Sequence, residues 1–264
     1  MSITNIVSYI QSKSKDHFPE VGIILGSGLG SFVDVIHHSL TFSFDELEGF
    51  PSLGVRGHEG KLVLGTVNGT SVAVLQGRVH YYESGKVDAM KIPIRTLATL
   101  GCKKVILTNS AGSMLPEAKP GKIILLKDHI NFTGVSPLFG ETDSARFVDM
   151  ADAYNPDLRA RFQAVAKANK IKLLEGIYIW FCGPNFETPA EIHAAKTMGA
   201  HVVGMSTVPE VILARHAGLT VAALSIITNM AAGMGPNQLS HEQTMKNAHK
   251  GIKDLKTLLI GFLE

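Results

Sequence analysis

Residues 76–83 read Gln-Gly-Arg-Val-His-Tyr-Tyr-Glu and set a guanidinium (Arg78), an imidazole (His80) and a phenol (Tyr82) at alternate positions. Side chains two apart in an extended chain share a face. Such a face suits an anion beside a hydroxylated group. Arginine offers paired donors that match phosphate, and histidine adds a donor whose charge changes near neutral pH. An exposed polar strand edge would use the same residue types.

Other short segments carry related chemistry. Gly26-Ser27-Gly28-Leu29-Gly30-Ser31 follows an apolar run. Glycines let backbone N–H groups approach an anion, although such a loop also serves as a tight turn against a helix. Its spacing is not the dinucleotide pattern GxGxxG, because Ser31 stands where the last glycine belongs, and it is not the GxxxxGK[ST] loop. Thr108-Asn109-Ser110-Ala111-Gly112-Ser113 closes another apolar run. Carboxyl ends of strands are where open α/β sheets bind ligands, and an ordinary turn is the plainer alternative. Gly204-Met205-Ser206-Thr207 precedes a helix start. A serine hydroxyl with helix-terminal N–H groups seats phosphate, and Met205 is soft enough to lie under a sugar.

Phe186-Glu187 pairs a ring that can stack on a base with a carboxylate that can accept from ring N–H groups. A core phenylalanine and a solvated glutamate would look the same. Asn229 ends an apolar run with an amide that both donates and accepts, as the O6/N7 edge of a purine requires. His241, at the start of the last helix, is placed either to reach a sugar hydroxyl or simply to face solvent. The eleven histidines show no HExxH or Cys/His ligand spacing, so no metal site is expected. No Gly-x-Ser-x-Gly elbow presents a nucleophilic serine. The attacking group is then better supplied by a bound substrate such as phosphate.

The elements that must position these groups follow from hydrophobic pattern. Short apolar runs recur at 21–25, 61–67, 71–75, 105–108, 123–126, 177–181, 200–204 and 220–228, mostly continuous rather than alternating. Continuous runs favour strands covered on both faces, and the helical periodicity between them argues for an α/β sheet. Thr188-Pro189-Ala190-Glu191 is a capping box with proline at the first helical position, and Thr207-Val208-Pro209-Glu210 repeats it. Ser240-His241-Glu242-Gln243 opens a helix expected to run nearly to Glu264. Helices over about 3–15 and 156–169 are also expected, with 134–152 the most loop-like stretch.

Composition bounds the partners. The chain has 264 residues, 45% hydrophobic and 18% charged, which suits one sizeable domain or at most two small ones. A formal net charge of +2 with no basic run argues against nucleic acid and for small molecules and further copies of the chain. Cys102 and Cys182 lack CxxC spacing and sit in apolar company, which reads as buried reduced thiols. The first twenty residues are too polar for a signal peptide, and no apolar run approaches the roughly 20 residues of a membrane helix. A cytoplasmic location without membrane contact is expected.

Taken together, GIILGSGLG at 22–30, QGRVHYYE at 76–83, TNSAGS at 108–113, DHINFTG at 128–134, GPNFETPAE at 183–191, VVGMSTVPEVILARHAGL at 202–219 and SIITNMA at 225–231 resemble the trimeric purine nucleoside phosphorylases. That family also includes the methylthioadenosine phosphorylases. The resemblance implies one α/β domain over 1–264, with a mixed sheet partly closed into a barrel and surrounded by helices, assembled as a homotrimer. It implies no cofactor, with inorganic phosphate as co-substrate. Carried over by position, phosphate meets Ser27, Arg78, His80, Ser206 and the backbone around Ser110. Ribose meets Tyr82, Met205 and His241. The base meets Phe186, Glu187 and Asn229, with Tyr178 and Val203 lining the pocket. Phe147 resembles a residue that the family sends into a neighbouring subunit's site. The implied reaction is attack of bound phosphate on C1′, with Asn229, His80 and Glu187 as the catalytic groups. An amide at Asn229 goes with 6-oxopurines and an aspartate with 6-aminopurines, which disfavours a 6-amino or methylthio substrate. The intact phosphate set argues against a nucleoside binder that has lost catalysis. The chain departs from the family at Ser110, where alanine is frequent, and at Met230-Ala231-Ala232-Gly233, where more polar residues occur; neither removes an expected contact.

Overall fold

The computed structural model describes residues 3–14, 17–54, 58–235 and 239–264, with the side chain of His241 excepted. The strands are β1 (Val21–Ile24), β2 (His37–Ser43), β3 (Lys61–Val67), β4 (Thr70–Gln76), β5 (Lys104–Ser113), β6 (Ile123–Asn131), β7 (Leu174–Trp180), β8 (Val202–Gly204) and β9 (Thr220–Met230). The helices are α1 (Ile3–Ser14), α2 (Tyr81–Ser84), α3 (Lys91–Leu100), α4 (Pro156–Ala168), α5 (Pro189–Thr197), α6 (Val208–His216), α7 (His241–Ala248) and α8 (Ile252–Phe262).

All the strands join one mixed sheet in the order β2-β3-β4-β1-β5-β8-β7-β6-β9. Pairing of β9 back onto β5 closes the strands from β5 to β9 into a barrel, so the architecture is an α/β sheet that is part open and part closed. Strands β4, β1, β5 and β9 run parallel to one another, which brings their carboxyl ends to one edge. Continuous apolar runs make these strands because both faces are covered. In β5, Val105 and Leu107 enter one core with Ile94 and Leu97 of α3 and Ile10 of α1. Ile106 enters the opposite core with Phe162 of α4 and Leu258 and Phe262 of α8. In β9, Val221 and Ala223 face the first core, while Ala222 and Leu224 face the second. Each buried branched side chain contributes about 1.5–3 kcal/mol.

Several expectations change. β4 stops at Gln76, and Gly77 (φ 127°) turns the chain before the single-turn helix α2. A Cβ at Gly77 would lie 2.8 Å from His58 Cβ, so the turn demands glycine. Arg78, His80 and Tyr82 are therefore delivered by a turn and a helix, not by one face of a strand. The box at Thr188 forms as expected: Thr188 Oγ1 accepts from Glu191 N at 3.2 Å, and Glu191 Oε2 accepts from Thr188 N at 2.7 Å. The repeat at Thr207 does not, because Thr207 makes no side-chain cap and Glu210 turns into the interior. Ser240 Oγ caps α7 by accepting from Gln243 N, but the expected single final helix breaks at a 3-10 turn over His249–Gly251 into α7 and α8.

Cys102 is buried, and burial pushes its thiol up to about 12; Cys182 is exposed, contrary to the reading of two buried thiols. Strand β2, polar and largely exposed, and the amphipathic helix α3 lie outside the expected elements. Among the described residues, no helix is long and apolar enough to cross a membrane.

Candidate active site

At the carboxyl edge of β1, β5 and β9 lies a cavity of about 430 Å³. Its walls come from the turn after β1, the Arg78–Tyr82 segment, the end of β5, the loop before α5, the β8–α6 turn and the end of β9. Ser27, Arg78, His80, Tyr82, Ser110, Phe186, Glu187, Val203, Met205, Ser206 and Asn229 all line it. Residues far apart along the chain thus converge on one space.

The turn after β1 rests directly on β5. A Cβ at Gly26 would come within 2.8 Å of Thr108 O and 2.9 Å of Asn109 Cα, so no other residue permits this approach. Ser27 Oγ lies 2.8 Å from His58 Nε2, and His58 Nδ1 accepts from the Arg78 backbone N–H at 3.1 Å. With Nδ1 accepting, the network assigns the ring proton to Nε2, which donates to Ser27.

Arg78 is 1% exposed. Its Nη2 donates to Ile24 O (3.2 Å) and Thr108 O (2.6 Å), while Nη1 donates to Thr207 Oγ1 (3.2 Å) and pairs with Glu210 Oε1 (3.1 Å). Both terminal nitrogens are thereby engaged by protein, so the guanidinium does not offer the free paired fork that its residue type suggests. It ties β1, β5 and α6 together and supplies charge from behind the cavity wall.

The β8–α6 turn is strained. Thr207 has φ 72° and ψ −50°, and Val208 N donates to Ser206 O at 2.8 Å, which is a γ-turn centred on a β-branched residue. Such a conformation costs about 1–3 kcal/mol. In return, Thr207 Oγ1 is held where Arg78 Nη1 and Asn109 Nδ2 (2.8 Å) both donate to it. Ser206 N donates to Tyr178 Oη at 3.2 Å. Tyr178 itself is fully buried in β7 behind this turn and is not among the cavity-lining residues, which corrects its expected place in the base pocket. Burial raises its phenol above the ordinary value, keeping it protonated.

The rings of His80 and Tyr82 stack at 4.9 Å. His80 Nδ1 donates to Glu83 Oε1 at 3.0 Å, which leaves Nε2 as the ring nitrogen open to ligand chemistry. Burial alone would raise the Glu83 carboxyl, but hydrogen bonds from His80 and Gly54 outweigh it and hold it below its ordinary value. Tyr82 is pushed up to about 12 by burial and by the nearby Glu83 charge, so its phenol remains a donor.

At the other end, Asn229 Oδ1 accepts from Thr228 Oγ1 at 2.8 Å and Nδ2 donates to Met230 O at 3.0 Å, which fixes the amide's orientation. Glu187 is 8% exposed, and burial, followed by the charge of Glu191, raises its carboxyl. For His241 only the backbone at the start of α7 is described, so its expected ribose contact falls outside the described residues. Phe147 is 80% exposed and does not line this cavity, so within one chain it stays apart from the residues it was expected to join across a subunit boundary.

Asn109 lines the cavity and His58, Thr207 and Glu210 brace its walls; the sequence marks the segments of Asn109 and Thr207 but gives none of the four a role of its own in the site. Thr207 and Glu210 carry a signal that points elsewhere, toward a helix cap, and His58 carries none. Glu141, Asp143 and His216 place ligand atoms within 4.8 Å of one another away from the cavity. Glu141 is already paired with Lys91 (3.2 Å) and Arg95 (2.8 Å), which occupy the charge a cation would use.

The phosphorylase superfamily model matches residues 20–264. Purine nucleoside phosphorylase 1 of Bacillus subtilis is 43% identical over 235 residues, 88% of this chain and 87% of that protein. The mouse (Mus musculus) purine nucleoside phosphorylase is 40% identical over 247 residues, 90% of this chain and 83% of that protein. A Schistosoma mansoni purine nucleoside phosphorylase solved with inosine is 34% identical and superposes with a TM-score of 0.92, covering 99% of this chain and 95% of that one. The chain is therefore a member of the phosphorylase superfamily and, within it, of the purine nucleoside phosphorylases.

Proposed function

We propose that this enzyme splits 6-oxopurine nucleosides such as inosine and guanosine by direct attack of bound phosphate on C1′, giving the free base and ribose 1-phosphate. The observation that carries the reading is a cluster of unpartnered polar atoms at one end of a largely apolar cavity. Three of its lining residues hold buried polar atoms with no hydrogen-bond partner among the described residues: Arg78 Nε, Asn109 Oδ1 and Ser110 Oγ. Buried polar atoms are rarely left unpaired, so this end of the cavity is built for a polar ligand. Phe186, Glu187 and Asn229 supply an aromatic face, a carboxylate and an oriented amide for a base.

In the reaction, a C1′–O bond forms to phosphate while the C1′–N9 bond breaks and its electron pair passes to the purine. Ser27 and Ser206 hold the phosphate, together with the Arg78 charge and the Ser110 backbone. Tyr82 and Met205 hold the ribose between the two ends. Asn229 stabilises the charge building on the purine at N7 and O6, and Glu187 accepts from N1–H. Such preorganised donors are each worth about 3 kcal/mol, roughly a hundredfold in rate. The Thr228 hydroxyl occupies one lone pair of Asn229 Oδ1, which favours the amide donating from Nδ2 to a 6-keto oxygen. Phe147, projecting from its own chain, suits insertion into a neighbour's site within a homotrimer. The test is incubation with inosine with and without phosphate. Hypoxanthine forming only with phosphate is the expected result; equal release without it would make water the attacking partner and overturn the proposal.

A further inference from the structure

We propose that Asn247 is a positioning residue for the base end of the cavity: from α7 it donates to the carbonyl of Thr228 and so holds the bulge in β9 that turns Asn229 toward the substrate. The inference rests on the base-site reading of Asn229. It adds a residue that does not itself line the cavity.

β9 pairs in parallel with β5, and the register skips one residue: Ala111 faces Ile227, while Gly112 faces Asn229. Thr228 is therefore the extra residue of a bulge. The consequence is directional. Side chains two apart in a regular strand share a face, so without the insertion Asn229 would follow Ile227 into the first core. With Thr228 inserted, Asn229 becomes the rung after Ile227 and takes the opposite side, where it lines the cavity.

The extra residue of a bulge is left out of the ladder, so its backbone groups need partners from elsewhere. Asn247 Nδ2 supplies one, donating to Thr228 O at 2.8 Å. Asn247 and Thr228 are both buried, so water competes little for this bond. Thr228 passes the constraint on, because its hydroxyl donates to Asn229 Oδ1 at 2.8 Å. The strand is pinned up to the bulge: Ile227 N donates to Lys122 O and Ile227 O accepts from Gly121 N, each at 2.8 Å. Any slack therefore falls on Thr228 and Asn229. Asn247 is itself mounted firmly, since the turn after α7 packs tightly on the neighbouring loop. A Cβ at Gly251 would come within 3.0 Å of Gly121 O and of Ile226 Cγ2. Support of this kind, from outside the substrate's reach, is what keeps a reacting group in register.

The test is a double-mutant cycle on kcat/KM for inosine in the full chain, with Asn247→Leu, Asn229→Ala and the two combined. Asn247→Leu keeps the size of the side chain and removes the donor. It is expected to lower kcat/KM by about tenfold or more, because a small misplacement of a group at the reacting base is costly. The KM for phosphate is expected to move by less than about twofold, since the anion end is built from other turns. In the Asn229→Ala background the same substitution is expected to cost less than about twofold. A full loss that persists there overturns the inference, because Asn247 would then act through the docking of α7 and not through the amide. An unchanged kcat/KM in Asn247→Leu overturns it as well. Asn247→Asp, which sets an acceptor against Thr228 O, is the second variant and is expected to repeat the pattern. Failure of both variants to fold, read by circular dichroism, also overturns it, since the role proposed is local. Asn229→Ala alone separates the two readings. If it leaves inosine turnover unchanged, the base-site reading fails; if it lowers turnover and Asn247→Leu does not, only the role of Asn247 falls.

Discussion

His58 Nε2 lies 2.8 Å from the Ser27 hydroxyl while its Nδ1 accepts the backbone N–H of Arg78 at 3.1 Å. One ring thereby joins the turn after β1 to the turn after β4, the two segments assigned to phosphate in the proposed reaction. With the ring donating to Ser27, the serine keeps its own hydrogen to donate to phosphate in the proposed reaction. His58→Ala should raise the KM for phosphate by about tenfold while the KM for inosine moves by less than about twofold. Steady-state kinetics with each substrate varied in turn decides it; an equal rise in both constants would mean that His58 only supports the fold.

The pairing of Arg78 with Glu210 predicts a stability effect. Both groups are nearly inaccessible, at 1% and 2%, so removing one leaves a buried charge uncompensated. Glu210→Ala should destabilise the protein by about 3–5 kcal/mol, read by urea unfolding without phosphate. Saturating phosphate should restore part of the loss, because an anion placed near Arg78 replaces the missing carboxylate. A loss below about 1 kcal/mol would show that the pair is not the junction between β1, β5 and α6 that its hydrogen bonds describe.

Much of this arrangement is legible in the sequence, and where it is not the causes are physical. The runs at 61–67 and 220–228 give strands because continuous apolar residues demand cover on both faces. Proline after threonine at 188 gives a helix start because the cap is local. The polar strand β2 leaves little trace because an exposed edge carries little hydrophobic signal. Alternation misplaces Arg78, His80 and Tyr82 because Gly77 ends the extended chain just before them. Asn109, Thr207 and Glu210 are hidden for a different reason. Their roles exist only once β5 and α6 are side by side, and no spacing along the chain encodes that contact. Glu210 even satisfies the pattern of a capping box, but the buried Arg78 charge outcompetes a surface cap.

Glu187 predicts an acid limb. Its folded-state value lies above the ordinary 4.5, chiefly through burial. Between the unfolded and folded values the folded chain holds the proton more tightly, so stability of the free protein rises as pH falls through that window. In the proposed reaction activity moves the other way, since there only the carboxylate accepts from N1–H. At saturating phosphate, kcat/KM for inosine should fall as pH drops through the raised value. Glu187→Gln should lower kcat/KM by about tenfold or more and flatten that limb. An acid limb of the same shape in the variant would assign it to another group.

Asn229 predicts both rate and substrate choice. Thr228 donates to its Oδ1 and Met230 O accepts from its Nδ2, so the amide is held in one orientation before any base arrives. One N–H and one lone pair remain for the purine. Asn229→Ala removes both and should cut inosine turnover at least tenfold, up to about a hundredfold, with the unfolding transition little changed. Asn229→Asp leaves two acceptors and no donor, which opposes a 6-keto oxygen and suits a 6-amino group. The ratio of inosine to adenosine turnover should then fall by about tenfold or more. Gly112 bears on the same geometry, because a Cβ there would sit 3.0 Å from Asn229 Nδ2. Gly112→Ala should therefore push the amide off its position and lower inosine turnover without touching phosphate affinity. Parallel assays of the three variants separate the possibilities: unchanged inosine turnover in Asn229→Ala would move the base site elsewhere in the cavity.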